Sequence, residues 1–298
     1  MNTKNIKNIL IPLDFSETSL LALNHAMFMA NFYKADITLL HVVETAIFTS
    51  AITFNDTGND LSSVIMEKAT AKLNQFAKQI QEVEGVKIQT LVVEGRIYKS
   101  IIEAAKGTHA DMIVMGTHGV SGFREYIMGS NTYRVVAESE CPVLSVQSQN
   151  KKVGFSNIVL PIDDSLSSRQ KVSHAANIAS KYLAKIHIAG LITEEDSEFT
   201  SAFKVKITQV EDYLKHHNIE FDTKYIHGSN LADMTLKYAT DISADLITIM
   251  TDQNLDYEFS GFMVSPFSQH IVNHSKIPVM SISPKPNDVE ANIIQFGL

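Results

Sequence analysis

The chain has 298 residues, 45% of them hydrophobic, which is enough for two domains that each bury a core. Its 25 lysines and arginines are outnumbered by 33 aspartates and glutamates, and the net charge of -8 argues against a broad nucleic-acid-binding surface. A single cysteine, Cys141, excludes an intramolecular disulfide and suits a buried position in a cytoplasmic protein.

The N-terminal segment MNTKNIKNILIPLDF does not resemble a targeting or membrane segment. Pro12 and Asp14 interrupt its apolar run after a few residues, which leaves it too short for a signal-peptide core or a membrane span. We therefore expect no membrane partner and a cytoplasmic location.

In the first half, short β-branched apolar runs alternate with amphipathic helical patterns. In chain order, the predicted strands are NILIPL, ITLLHVV, IQTLVV, MIVMG and PVLSV. The predicted helices are SLLALNHAMFMANFYK, SVIMEKATAKLNQFAKQIQEV, YKSIIEAAKGTH and a segment around NTYRVVAES. This alternation predicts βαβ crossovers and a parallel sheet with helices on both faces. Ligands of such sheets bind beyond the carboxyl ends of the strands, here at LDFS, HVVE and GTHG.

The second half repeats the first in the same order. NILIPLDFSETS at 8–19 reappears as NIVLPIDDSLSS at 157–168, ADMIVM at 110–115 as ADLITI at 244–249, and CPVLSV at 141–146 as IPVMSI at 277–282. The repeat predicts a duplicated domain with its boundary in the polar stretch 147–156. The expected fold class is therefore α/β, with two tandem doubly wound parallel-sheet domains, 1–150 and 151–298.

A glycine-rich stretch, GTHGVSGFREYIMGS at 116–130, follows a predicted strand and precedes a predicted helix. Gly116 and Gly119 can turn the backbone sharply and present N–H groups to an anion. Gly129 and Ser130 open the helix, where the first N–H groups and the helix dipole favour a phosphate. An ordinary tight turn followed by a helix cap is the alternative explanation, and the strand-loop-helix context favours the phosphate site.

Together these features resemble the universal stress protein (UspA-like) family. The four residues of the glycine stretch match the family's ATP signature, which is glycine, two residues, glycine, nine residues, then glycine and serine or threonine. The resemblance extends from Asn8 to about Pro284. It implies a Rossmann-like, adenine-nucleotide alpha-hydrolase-like fold in each half. It also implies a pseudo-dimer paired through CPVLSVQ and IPVMSIS, and ATP as the ligand, with any Mg²⁺ held by the phosphates.

The resemblance also assigns residues at the strand ends to the nucleotide. Asp14 can accept hydrogen bonds from ribose hydroxyls or an adenine amine, and its family counterpart contacts the nucleotide. It is also a candidate helix N-cap, as is Ser16, and both roles hold if Ser16 provides the cap. Val42 corresponds to the position whose backbone meets the adenine. The remaining candidates are Pro12, Met115, His118 and Asn131.

The glycine stretch contains no assignable catalytic residue. A P-loop lysine is absent, and His270 and His274 stand four residues apart without evident further ligands for zinc. We therefore expect an ATP-binding stress protein with little or no hydrolysis, a possible further homodimer and an unidentified protein partner. The alternatives are a slow ATPase or nucleotidyl-transfer enzyme of the same superfamily, and a nucleotide-free scaffold.

The second half has lost the ATP signature. Alignment on the flanking strands places Met250 and Gln253 at the first two glycines, and Ser265 and Pro266 at Gly129 and Ser130. Proline has no N–H to donate, and the intervening loop has acidic residues without a lysine or arginine: Asp252, Asp256 and Glu258. We therefore expect the second half to be structural or regulatory.

Overall fold

The computed structural model describes residues 5–44, 61–117, 129–147, 152–165, 167–193, 201–251 and 264–284. The chain divides after residue 148 into two compact units, called here the first unit and the second unit.

The first unit is a five-stranded parallel sheet with connecting helices. Its strands are β1 (Asn8–Pro12), β2 (Asp36–Glu44), β3 (Ile88–Gly95), β4 (Met112–Gly116) and β5 (Val143–Val146). Its helices are α1 (Glu17–Tyr33), α2 (Leu61–Glu84), α3 (Ile97–Gly107) and α4 (Ser130–Glu138). In the strand order β3-β2-β1-β4-β5, the chain adds strands on one side of β1 and then on the other, beginning with β4. A doubly wound sheet has a crevice for ligands at this point, between β1 and β4.

The second unit repeats this arrangement. Its strands are β6 (Asn157–Ile162), β7 (Lys185–Ile192), β8 (Phe221–His227), β9 (Leu246–Met250) and β10 (Val279–Ile282), in the parallel order β8-β7-β6-β9-β10. Its helices are α5 (Val172–Tyr182), α6 (Ser201–His216), α7 (Leu231–Asp241) and α8 (Pro266–His274), with a 3-10 turn at Ser167–Arg169 before α5. The predicted α/β class with tandem doubly wound sheets is confirmed.

The central strands form the core of each unit. Ile9, Leu10 and Ile11 of β1 are at most 1% exposed, and every residue of β9 is buried. Strands covered on both faces bury consecutive side chains, which is why they appear in the sequence as unbroken apolar runs. Burial of each leucine or isoleucine side chain stabilises the fold by about 1.5 to 3 kcal/mol. The central strands are therefore a stable base for the residues at their carboxyl ends.

His25 is a buried titratable group on α1. It is 1% exposed, and burial lowers its pKa from 6.5 to about 4 because the imidazolium loses its hydration. The unfolded chain therefore takes up this proton at a higher pH than the folded chain. The resulting loss of stability begins as the pH falls through 6.5 and is complete below about 4.

We expect the unfolding free energy of the first unit to fall by about 2 kcal/mol between about pH 7 and pH 5 through His25 alone. Denaturant unfolding at both pH values should show a smaller fall for His25→Leu than for the wild type. His174→Leu, at the corresponding half-buried position of the second unit, is the control. The same acid dependence in wild type and His25→Leu would show that His25 is not the responsible group.

Candidate functional site

The first unit has a cavity of about 580 Å³ at the carboxyl ends of β1, β2 and β4. Its volume lies in the range of sites for small molecules and cofactors. Eight of the ten predicted ligand-binding residues line it: Pro12, Asp14, Val42, Met115, Gly116, Gly129, Ser130 and Asn131. The other two, His118 and Gly119, lie outside the described residues.

The turn between β1 and α1 positions the carboxylate of Asp14. Its Oδ1 accepts hydrogen bonds from the backbone N–H of Ser16 at 3.0 Å and from the Ser16 hydroxyl at 2.6 Å. Ser16 is the N-cap of α1, and its Oγ accepts from the N–H of Ser19 at 3.2 Å. Ser16 therefore caps the helix while the carboxylate of Asp14 lines the cavity.

The same turn is braced by His41, a cavity residue that the sequence did not single out. His41 Nδ1 lies 2.7 Å from the backbone oxygen of Leu13, and because a carbonyl oxygen can only accept, this nitrogen carries the proton. Phe15, with the positive φ of 63°, packs its ring 5.7 Å from that of His41 and 5.5 Å from that of Phe76. The sequence signal that could have identified His41 as a cavity residue was its place in HVVE, at the carboxyl end of a predicted strand.

Gly116 has a structural role in addition to the ligand-binding role that the motif suggested. A Cβ at this position would lie 2.8 Å from the backbone carbon of Thr18, so α1 packs directly on the end of β4. Such a contact is closer than real Cβ atoms tolerate, and both neighbours are core elements. Gly116 lines the cavity, but close packing of a helix on a strand already requires glycine here.

The first residues of α4 and its N-cap line the cavity. Gly129 is its N-cap residue and supplies no side-chain hydrogen bond, so the cap leaves the first-turn N–H groups to other acceptors. Gly129 donates its own N–H to the oxygen of Thr117 at 2.9 Å, and the hydroxyl of Thr132 bonds the oxygen of Gly116 at 3.2 Å. These bonds fix the helix start against β4, with Ser130 and Asn131 at the cavity wall.

The cavity is electrostatically polarised. Asp14 and Glu44 lie at its β1 and β2 end, whereas the positive end of the α4 dipole lies at its β4 end. Such an arrangement suits an elongated ligand with hydroxyl or amine donors at one end and an anionic group at the other.

The sequence model of the universal stress protein family matches this chain twice, at residues 5–147 and 154–283. The chain belongs to the universal stress protein family. Universal stress protein MJ0577 of Methanocaldococcus jannaschii is 31% identical over 48% of this chain and 96% of its own length. YxiE of Bacillus subtilis is 30% identical over 47% of this chain and 97% of its own. A solved universal stress protein from Archaeoglobus fulgidus covers 93% of this chain and 98% of its own, with a TM-score of 0.72 at 20% identity, and shares the fold.

In the second universal stress protein unit, Asp163 occupies the position of Asp14 and forms the same turn. Its Oδ1 accepts from the N–H of Ser165 at 2.9 Å and from its hydroxyl at 2.5 Å. Lys171, 3% exposed, replaces the buried Ala22 and donates to the oxygen and the hydroxyl of Ser168 at 2.8 and 3.0 Å.

The charge of Lys171 has a direct effect on Asp163. Burial acts to raise the pKa of this carboxyl group, but Lys171 and the hydrogen bonds from serines outweigh burial and hold the pKa below its ordinary value. A buried lysine thus lowers the pKa of the carboxyl group whose counterpart in the first unit, Asp14, lines the cavity.

The start of α8 is capped from within the chain. Ser265 is the N-cap, and its Oγ accepts from the N–H of Ser268 at 3.3 Å, while Pro266 occupies the first helical position. The hydroxyl of Ser268 donates to the oxygen of Met250 at 2.6 Å. At the start of α8, therefore, residue 266 has no N–H and the N–H of residue 268 is bonded to Ser265, whereas Ser130 has an N–H and Gly129 forms no such cap. The predicted acidic residues Asp252, Asp256 and Glu258 lie outside the described residues.

The histidine pair of α8 forms a polar contact with α7. The rings of His270 and His274 stack at 4.1 Å, and His270 Nε2 lies 2.6 Å from Asp233 Oδ1. Within the described ranges, no three or more histidine, cysteine or acidic side chains are grouped to hold a metal ion. Over the same ranges, no helix has both the length and the apolar character needed to cross a bilayer.

Proposed function

We propose that the first unit binds ATP and that the chain is an ATP-sensing universal stress protein with little or no hydrolytic activity. The cavity itself carries this proposal, because it combines the Asp14 carboxylate with a helix start that has no side-chain cap. Asp14 would accept hydrogen bonds from the ribose or the adenine amine. The first turn of α4 would receive the phosphates, with the hydroxyl of Ser130 as a further donor.

The chemistry of the cavity lining favours binding over catalysis. Among the described lining residues, the titratable side chains are those of Asp14, His41 and Glu44. All three lie on or shortly after β1 and β2 rather than on α4, and His41 donates to a backbone oxygen. A general base for water attack on a phosphate must lie within hydrogen-bond reach of that water. The alternative of a slow ATPase would need a catalytic group from elsewhere.

Calorimetric titration of the full chain with ATP and Mg²⁺ tests the proposal. We expect saturation at about one site per chain, together with phosphate release far below the roughly 1 to 1000 per second of dedicated enzymes. GTP and inorganic triphosphate are the matched ligands, since they retain the phosphates and lack adenine.

Three other results would each contradict a different part of the proposal. The absence of saturable ATP binding would favour a nucleotide-free scaffold. Equal binding of inorganic triphosphate would indicate a general anion site. Rapid phosphate release that persists through further purification would show that the protein is an ATP-hydrolysing enzyme.

A further inference from the structure

An arginine stacks on a tyrosine beside the cavity, between the starts of α3 and α4. The guanidinium of Arg134 lies over the ring of Tyr98, 4.8 Å from its centroid. Arg134 is one helical turn after Ser130, and Tyr98 directly follows Ile97, and both of these neighbours line the cavity. Side chains on a helix lean toward its N-terminus, so the guanidinium reaches back toward the start of α4.

The surrounding surface adds two further positive charges. Arg96 is at the N-cap position of α3, Lys99 lies in its first turn, and both are exposed, as is Arg134. None of the three forms an ion pair with a described carboxylate. By contrast, Lys106 at the other end of α3 pairs with Glu140 at 2.8 Å. Positive charge that has no carboxylate partner among the described residues is thus concentrated where two helix N-termini meet the cavity.

The geometry of the stack suits recognition of a phosphate. A guanidinium that rests on an aromatic face keeps the N–H groups of its edges available and loses part of its conformational freedom in advance. Two parallel N–H groups of an arginine can bind two oxygens of one phosphate, which gives a charge-assisted bidentate contact.

The second unit has exchanged all three charges at the corresponding positions. Asn230 is the N-cap of α7, Asp233 is its third residue as Lys99 is of α3, and His270 is the fifth residue of α8 as Arg134 is of α4. These side chains bond to one another, since Asp233 accepts from Asn230 and lies 2.6 Å from His270 Nε2. The first unit thus has a cationic surface at these positions, whereas the second unit, in which Ser265 caps α8, has a cluster centred on the carboxylate of Asp233.

We propose that Arg134, supported by Lys99 and Arg96, forms a subsite for the terminal phosphate of a nucleoside triphosphate. The first phosphate of the ligand would lie at the start of α4, and the chain of phosphates would extend from there toward the guanidinium. The subsite therefore discriminates ATP from AMP and cyclic AMP, whose single phosphate ends at α4. This inference rests on the proposed binding of ATP in the cavity.

Titrations of ATP and AMP against the full chain test the subsite. For Arg134→Gln we expect on the order of a tenfold loss of ATP affinity with AMP affinity unchanged, because a charge-assisted hydrogen bond to an anion is worth about this much. Arg134→Lys should recover part of the loss by restoring the charge without the bidentate edge. Lys106→Gln removes one positive charge from the far end of α3 and should change neither affinity.

The outcomes separate this inference from the proposed function. ATP binding by the wild type together with unchanged ATP affinity in Arg134→Gln would overturn the subsite alone. Equal losses for ATP and AMP would also overturn it, because they would indicate a general disturbance of the α4 start. The absence of nucleotide binding by the wild type would overturn both proposals.

Discussion

Replacing Gly129 with serine and Ser130 with proline in the same chain is expected to weaken ATP binding by about 100-fold or more. The pair is the one that begins α8, where it supports a helix of the same length. Proline removes the N–H and the hydroxyl of residue 130, and a serine at 129 can accept from the N–H of Thr132, as Ser265 does from that of Ser268. Each lost hydrogen bond to an anion costs about 1.5 to 3 kcal/mol, which gives this range.

Calorimetry with circular dichroism would measure the effect of this exchange. The double variant should keep its helix content, because proline is well tolerated at the first helical position. Ser130→Ala keeps the backbone N–H and loses only the hydroxyl, so it should show a much smaller loss of affinity. Full ATP affinity in a folded double variant would show that the start of α4 is not the phosphate site.

Gly116→Ala is expected to destabilise the first unit by about 2 to 4 kcal/mol. The new methyl carbon would lie 2.8 and 2.9 Å from the backbone carbon and the Cβ of Thr18, so β4 and α1 must separate. Overpacking of this kind costs about 1 to 3 kcal/mol where side chains can adjust, and more where the obstacle is backbone.

Denaturant unfolding followed by circular dichroism would measure the change. Gly107→Ala is the matched control, because a Cβ on this last residue of α3 meets nothing within 4 Å. A Gly116→Ala variant of normal stability that fails to bind ATP would favour the interpretation from the motif, in which glycine serves the approach of the ligand. Loss of stability in the absence of nucleotide would favour close packing.

The fold was readable from the sequence because its signals are local and periodic. Strands such as MIVM are buried on both faces, so each appears as an unbroken apolar run, and the duplication shows the same order twice. The predicted helix SLLALNHAMFMANFYK corresponds closely to α1 at Glu17–Tyr33. Eight of the candidate residues line one cavity because parallel strands end at the same edge of the sheet.

Contacts between distant segments could not be read in this way. The bond from His41 to Leu13 and the packing of Gly116 on Thr18 each depend on two elements meeting in space. Periodicity describes one element at a time and carries no information on such pairs. The pairing of the two halves through their last strands, a further homodimer and a protein partner stay predictions.

The two helix starts also differ in what they contribute to stability. An N-cap hydrogen bond such as that of Ser265 contributes about 1 kcal/mol to a helix, and Gly129 forms no such bond. If α4 must keep its first-turn donors for a ligand, selection cannot improve its cap without loss of binding, whereas α8 has no such constraint. After duplication of one fold, the same polypeptide would thus contain both outcomes of a trade-off between stability and activity. The first unit keeps the donors for a ligand, and the second unit keeps the more stable helix cap.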